Sequence, residues 1–411
     1  MPLNAKKFSA TLRQSLMAYT FNIFGIIAGI LVAYNIGIFE RIPWAVATYP
    51  PILSARGVIG GLFCGRLSTA LHLGTIQPRI FGNTKSFYLL AKAIIVITLE
   101  ASIIMGIIAV TFKSVYNGMS LDDFINIITI IVATMALALV VINPLTLAVS
   151  FLSFKHGLDP DIILYPIEST VADLLVTAIY ISVLNFFQFY NASSKYFIIL
   201  VSLISASAAI YLFVRNRSEN EFIKTIKESF LTIIFVSFII NVAGAVLNKI
   251  DEILRESQEL YRSYPIYVVY PALIDTIGDI GATVGSTATT KLALGTLKSS
   301  YSSLKNHVAE ILGAWTASLI LYLVYSVLAL LVQRIFNTQN FLRFTLVLFM
   351  ANIIAASCIV LISYSVAILT YQKGLDPDNF EIPIESSFAD SVTTISLLVA
   401  LVLLAKVGFG G

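Results

Sequence analysis

The stretch GLDPDIILYPIESTVAD, Gly157 to Asp173, returns as GLDPDNFEIPIESSFAD, Gly374 to Asp390. Eleven of the 17 positions are identical at an offset of 217 residues. Each copy is acidic, broken by proline, and runs on into an apolar stretch. A second, weaker match pairs YPPILSARGVIGGLFCGRLSTALHLGT from Tyr49 with YPALIDTIGDIGATVGSTATTKLALGT from Tyr270, at an offset of 221. Two anchors at similar offsets define an internal repeat covering most of the chain.

The surroundings of these anchors set the class. Of 411 residues 58% are hydrophobic and 12% charged, about half the charge of a soluble domain. Apolar runs near 20 residues recur, such as YFIILVSLISASAAIYLFV at Tyr196 to Val214, long enough to cross a hydrocarbon layer of about 30 Å as helix. An all-α polytopic membrane protein follows. The segmentation gives about eleven spans, at 15–34, 49–73, 86–112, 124–153, 162–187, 196–214, 229–248, 266–294, 307–333, 341–371 and 380–405. Each repeat holds five of them. Five is odd, so the extra span at 196–214 restores parity, and the repeats are expected to run parallel about an axis along the membrane normal. The expected domains are a first five-helix repeat, 1–190, a linking helix, 191–220, and a second repeat, 221–411.

With the N-terminus inside, thirteen Lys and Arg fall on the cytoplasmic side and nine on the other, which favours N-in and C-out in an integral, plasma-membrane protein. Lys6, Lys7 and Arg13 precede an apolar run too long for a cleavable signal. Cys64 and Cys358 both fall in apolar segments, where they read as buried small hydrophobes. Nothing in the composition points to nucleic acid.

The chemistry sits on the second and fifth spans. Asp173 has Ser169, Thr170 and Thr177 on its helical face, and the other copy repeats the stripe as Ser386, Ser387, Asp390 and Thr394. A carboxylate in mid-membrane costs about 2.5–3.5 kcal/mol on insertion scales, so it marks a function or a partner. The partner reading offers Arg56, Arg66 and Lys291. Glu168 and Glu385 lie five residues before these aspartates, either as a second cation site or solvated at the mouth. Asp159 and Asp376, each before a proline, read as helix caps. In the second span Gly57, Gly61 and Gly65 recur every four residues, as do Gly281 and Gly285 in the other copy, where Gly278 also aligns with Gly57. Close packing explains the glycines alone. Asp275 and Asp279, one turn apart on the same span, add the alternative of a cation path.

Carboxylates, hydroxyls and carbonyls suit a hard ion. Mg²⁺ takes oxygen ligands and keeps its waters, so a few acids around a hydrated ion suffice. Mn²⁺ and Co²⁺ stand as alternates, Na⁺ or H⁺ coupling stays open, and no catalytic residue is expected. An intramembrane aspartyl protease is the reading from another class, since Asp173 with Gly278-Asp279 has the ingredients. It gives no reason for Asp390 to duplicate Asp173.

The second span, with Pro50, Gly57 and GRLSTALHLG at Gly65 to Gly74, and the fifth, DPD then Pro then Asp, resemble the membrane domain of MgtE-type magnesium transporters. The tandem form is similar to their eukaryotic solute-carrier relatives. The resemblance implies five-helix units paired around a central cation pore, with Asp173 and Asp390 binding Mg²⁺. The chain departs from the family's second-span Gly-Asn pair, since Val58 follows Gly57 and Asp279 follows Gly278. The short N-terminal tail is not expected to hold the soluble regulatory domain of bacterial members. A pseudo-dimer within one chain follows, with any further oligomer undetermined; a Na⁺-coupled exchanger is the runner-up to a channel.

Overall fold

The computed structural model describes residues 5–42, 44–72, 74–117, 120–155, 160–188, 192–256, 264–293, 295–373 and 378–406. Among them the chain is helix and short turn, with no strand. The helices are α1 (Ala5–Tyr19), α2 (Ile23–Tyr34), α3 (Ile36–Arg41), α4 (Trp44–His72), α5 (Lys85–Asn117), α6 (Leu121–Lys155), α7 (Pro160–Gln188), α8 (Ala192–Asn216) and α9 (Asn220–Glu256), then α10 (Ile266–Ala293), α11 (Val308–Val332), α12 (Thr338–Gln372) and α13 (Asp378–Lys406). The GLD of each opening stretch, with its capping aspartate, lies outside the described residues.

Nine segments among the described residues are long and apolar enough to cross a membrane. The two expected spans that fall short are α4 and α10, although each is one unbroken helix, of 29 and 28 residues. The reason is composition: both replace aliphatic residues with glycine, threonine and charge, which lowers hydropathy without ending the helix. The linking helix α8 is the most exposed of the candidate spans, with Leu203 and Ile204 each 60% accessible. Such surface is favourable only against lipid. Cys64 is buried as expected, whereas Cys358 is exposed on α12, on a face turned away from the protein interior.

The helices gather into two compact units, Asn35–Ala245 and Met1–Tyr34 with Val246–Gly411. These units do not coincide with the sequence repeats. In the second unit, α1 packs on α11 and α2 packs on α10, so the first repeat's first span lies among helices of the second repeat. In the first unit, α9, the second repeat's first span, approaches α4: a Cβ on Gly244 would overlap the carbonyl oxygen of Ala47. A Cβ on Gly29 of α2 would likewise overlap the carbonyl oxygen of Val268 on α10. Ala47 and Val268 are matched by the offset of 221. Thus each unit uses glycine to let a first span reach the backbone of the other repeat's second span, the close approach that small residues permit between membrane helices, and in the second unit Gly25 adds to it against Ala272.

The C-terminal ends of α4 and α10 also repeat one device. Gly74 and Gly295 take φ of 70° and 66°, a left-handed conformation that costs glycine nothing. The amides of Thr75 and Ile76 then reach back to Ala70 O, and those of Thr296 and Leu297 to Lys291 O. The carbonyls that the helix end leaves over are thereby satisfied.

Candidate functional site

Each unit pairs its second-span helix with its fifth-span helix in antiparallel fashion, and the registers correspond. Tyr49 OH on α4 meets Thr177 Oγ1 on α7 at 3.0 Å. Tyr270 OH on α10 meets Thr394 Oγ1 on α13 at 2.8 Å. The two threonines, expected to line a path, are fully buried and occupied by these bonds. They hold the helix pair in register.

One turn along α7, Asp173 is buried and its Oδ1 accepts from Arg56 Nη1 at 3.0 Å. The structure therefore gives this aspartate a cation from α4. Arg66 Nη1 instead donates to Thr225 Oγ1 at 3.0 Å, and Lys291 Nζ to Glu310 Oε1 at 2.6 Å. Thr170 is buried on the same face of α7. Glu168 and Ser169 lie on α7, and Gly57, Gly61 and Gly65 on α4, as expected. The side chains of Glu168 and Ser169 lie outside what the structure describes.

The corresponding position to Arg56 is Ile277, fully buried, so the arginine pair is not repeated beside Asp390. Polar groups gather elsewhere in the second unit. Asp279 Oδ2 on α10 accepts from Asn22 Nδ2 at 2.7 Å, and the same amide nitrogen reaches Thr276 Oγ1 at 3.2 Å. Asn22 ends the one 3₁₀ turn that joins α1 to α2. Tyr19 OH, one turn earlier, donates to the backbone oxygen of Asp279 at 3.1 Å and meets Thr283 Oγ1 at 3.1 Å. Thr276 Oγ1 also meets Tyr325 OH of α11 at 2.9 Å.

The opposite side of α10 faces α13. Gly278 lies against Ala389, 3.7 Å from an added Cβ to the alanine Cβ. Gly281 forms a notch that the Glu385 carboxylate fills, since a Cβ there would overlap Glu385 Oε1. Ser363 Oγ of α12 donates to the same oxygen at 3.4 Å. Glu385, Ser387 and Asp390 are buried on α13, Ser386 half-buried, and Gly285 buried on α10. At 100° per residue, Asp275 falls between the Asn22-facing and the α13-facing sides of α10. Glu385 is thus lodged against protein rather than solvated at a mouth.

Among the described residues no three His, Cys, Asp or Glu are close enough to chelate a bare metal ion. Asn22 and Tyr19 were not among the expected site residues. The signal was present, because Asn22 is the one amide in the otherwise apolar FNIFGIIAGI, and an amide inside a membrane helix asks for a partner.

A doubled set of membrane helices, with carboxylates held mid-helix by an amide, hydroxyls and an arginine, defines a polytopic membrane protein. The chain belongs to the MgtE family of divalent cation transporters, which matches residues 49–183 and 270–400. The family is one of transporters, and the protease reading falls. Both matched segments open at the tyrosines that bind the fifth-span threonines. Among curated proteins the chain is 22% identical to solute carrier family 41 member 3 of mouse (Mus musculus), over 92% of this chain and 79% of the relative. It is 22% identical to solute carrier family 41 member 3 of rat (Rattus norvegicus), over 89% and 80%. No solved structure matches.

Proposed function

We propose that the transported ion is Mg²⁺ and that it is served by Asp279, Asp275, Glu385 and Asp390 of the second repeat together with Asp173 of the first. The observation that carries this reading is the packing of α10, which holds Asp279 to Asn22 on one side and seats Glu385 in the Gly281 notch on the other. Asp279 and the Gly281 notch are two residues apart on α10, about 3 Å of helix rise, so the two acids lie at similar depth on opposite sides of that helix. Neutral donors such as Asn22 and Ser363 orient the carboxylates without cancelling their charge. Asp173, paired to Arg56, would bind an ion only by exchanging the guanidinium for it. The hydroxyls of Thr170, Ser386 and Ser387 are polar company for the ion rather than ligands of first choice. The excess of basic residues on one side supports an N-in, C-out orientation.

The test is flux into proteoliposomes with Mg²⁺, Mn²⁺, Co²⁺, Ca²⁺ and Na⁺, with and without a Na⁺ gradient. Mg²⁺ uptake independent of Na⁺ supports a channel. Uptake that requires opposed Na⁺ replaces it with the exchanger. No divalent flux under any gradient refutes the reading.

A further inference from the structure

Glu100 lies near the middle of α5, and the transport reading does not use it. Its Oε2 is buried and has no hydrogen-bond partner among the described residues. A cavity of about 290 Å³ opens beside it in the first unit, lined by Glu100, Phe213, Ile223, Ile226, Lys227 and Phe230. A second cavity of about 230 Å³ adjoins it, shares Glu100, Phe213 and Ile226, and continues along Val96 and Ile103 of α5 and Ile210 of α8. Val96, Glu100 and Ile103 are spaced to share one face of α5. The groove therefore runs between α5, the linking helix α8 and the start of α9. Because α8 has no counterpart in the repeat, neither does the groove.

Its chemistry is uneven. The walls are aliphatic and aromatic, and one carboxylate oxygen meets no donor among the described residues. An apolar cavity of roughly 300 Å³ with a single convergent polar group is the usual form of a small-ligand site. A neutral hydrocarbon would cover the walls and leave the oxygen unbonded, which costs about 1–3 kcal/mol. A protonated amine supplies charge and N–H donors together, the stronger kind of hydrogen bond. Lys227 is exposed, so its stem lines the groove while its own charge faces outward. The occupant's charge therefore belongs at the depth of Glu100, not at the rim.

We infer that this groove binds a lipophilic amine, a protonated primary amine on a hydrocarbon chain, which enters from the bilayer and donates to Glu100. The chain lies along Phe213, Ile226 and Ile210, and the ammonium meets Oε2.

The experiment uses the purified full chain and radiolabelled dodecylamine, with dodecanol as the uncharged comparator. Wild-type protein should bind dodecylamine saturably. Glu100→Gln should weaken that binding about 10-fold and leave dodecanol unchanged, and Ile226→Trp, which fills the groove and keeps the acid, should weaken both. In wild-type protein alone, dodecylamine should slow the modification of Glu100 by dicyclohexylcarbodiimide, read by mass spectrometry of the peptide, so the proposal stays testable even if a variant misfolds. Equal dodecylamine binding by wild type and Glu100→Gln would show a groove for acyl chains only and overturn it. So would the absence of saturable binding or of protection. The readout is binding, so it is independent of whether the chain carries Mg²⁺.

Discussion

The Arg56–Asp173 pair makes a quantitative test of what the fifth-span aspartate does. At 3.0 Å and an effective dielectric of about 20, the two charges attract by roughly 5–6 kcal/mol. Desolvation offsets most of that, so the intact pair contributes little net stability. Breaking it is another matter, because removing one partner strands the other charge in the interior at a cost of about 3–5 kcal/mol. Asp173→Asn takes the carboxylate away from Arg56, and Arg56→Ile takes the guanidinium away from Asp173. Each single variant should therefore lower the thermal midpoint of detergent-purified protein by on the order of 10 °C, taking about 2–4 °C per kcal/mol for a unit of this size. The double variant, which copies the isoleucine at position 277, should lose clearly less than the sum of the two. Additive losses in this cycle would mean that the pair is not coupled and that the reasoning fails. Flux adds a second arm. If an ion displaces the guanidinium from Asp173, Arg56→Ile should lower the Mg²⁺ concentration for half-maximal uptake, whereas a purely structural pair predicts only less folded protein.

Three further outcomes follow from other parts of the molecule. Asp279→Asn should weaken Mg²⁺ uptake clearly while Val58→Asn, at the matched position, changes it little; equal and negligible effects in a flux titration would mean that α10 packs rather than binds. Gly29→Ala and Gly244→Ala should each destabilise by about 1–3 kcal/mol, since each added methyl collides with a backbone carbonyl that cannot step aside; unchanged melting of either would contradict the close approach. His307 is buried between α11 and its neighbours, and neither ring nitrogen has a hydrogen-bond partner among the described residues. Burial, followed by the positive charge of Lys291, pushes its pKa down to about 4, against which Glu310 acts and to which Lys7 adds. The unfolded chain then takes up a proton that the folded one refuses. Stability is fully present above pH ~6.5 and falls by up to about 3 kcal/mol as pH drops toward 4. His307→Gln should flatten melting temperature over that interval, and an unchanged slope would assign it to another group.

The all-helical membrane class and the repeat were legible because both rest on patterns that burial enforces over many residues. Apolar runs report spans wherever lipid or protein surrounds a helix evenly. That signal faded in α4 and α10, where glycines and charges replace aliphatic residues because these helices meet neighbours at close range. The parity argument concerned sequence order, and order alone says nothing about which helix a first span will choose. Gly29 and Gly244 were visible as letters, but only the carbonyls of Val268 and Ala47 show what they are for. Likewise Asp173 was recognisable as costly and its partner Arg56 was one of three candidates. Choosing among them needed the register of α4 on α7, which the Tyr49–Thr177 bond fixes. Asn22 was overlooked because its partner lies 257 residues away.

The repeats themselves supply a further argument about the acids. If Gly29 and Gly244 occupy matched positions, then Asn22 corresponds to Ser237, and Asp279 corresponds to Val58. The unit that has the carboxylate has the amide that donates to it. The unit that has valine offers a serine whose Oγ is buried without a hydrogen bond among the described residues. The other exchange runs in the opposite direction, with Arg56 beside Asp173 in one unit and Ile277 at the matched position in the other. Two polar partnerships have thus been placed in different halves: Asn22–Asp279 has both members changed in the other half, whereas of Arg56–Asp173 only the arginine is changed, to Ile277, and the aspartate is kept as Asp390. A homodimer could not do this, since identical chains would carry Arg56 and Asp279 on both sides. Joining the repeats in one chain frees matched positions to differ, and here the difference concentrates added negative charge on α10 and positive charge on α4. An ion drawn to carboxylates is then expected nearer to α10, and replacing Asn22 by Leu, which removes a donor from Asp279 without touching α10 itself, should alter Mg²⁺ affinity while Ser237→Leu leaves it unchanged. Equal effects of the two substitutions in the flux titration would show that the asymmetry of the repeats is not used by the ion.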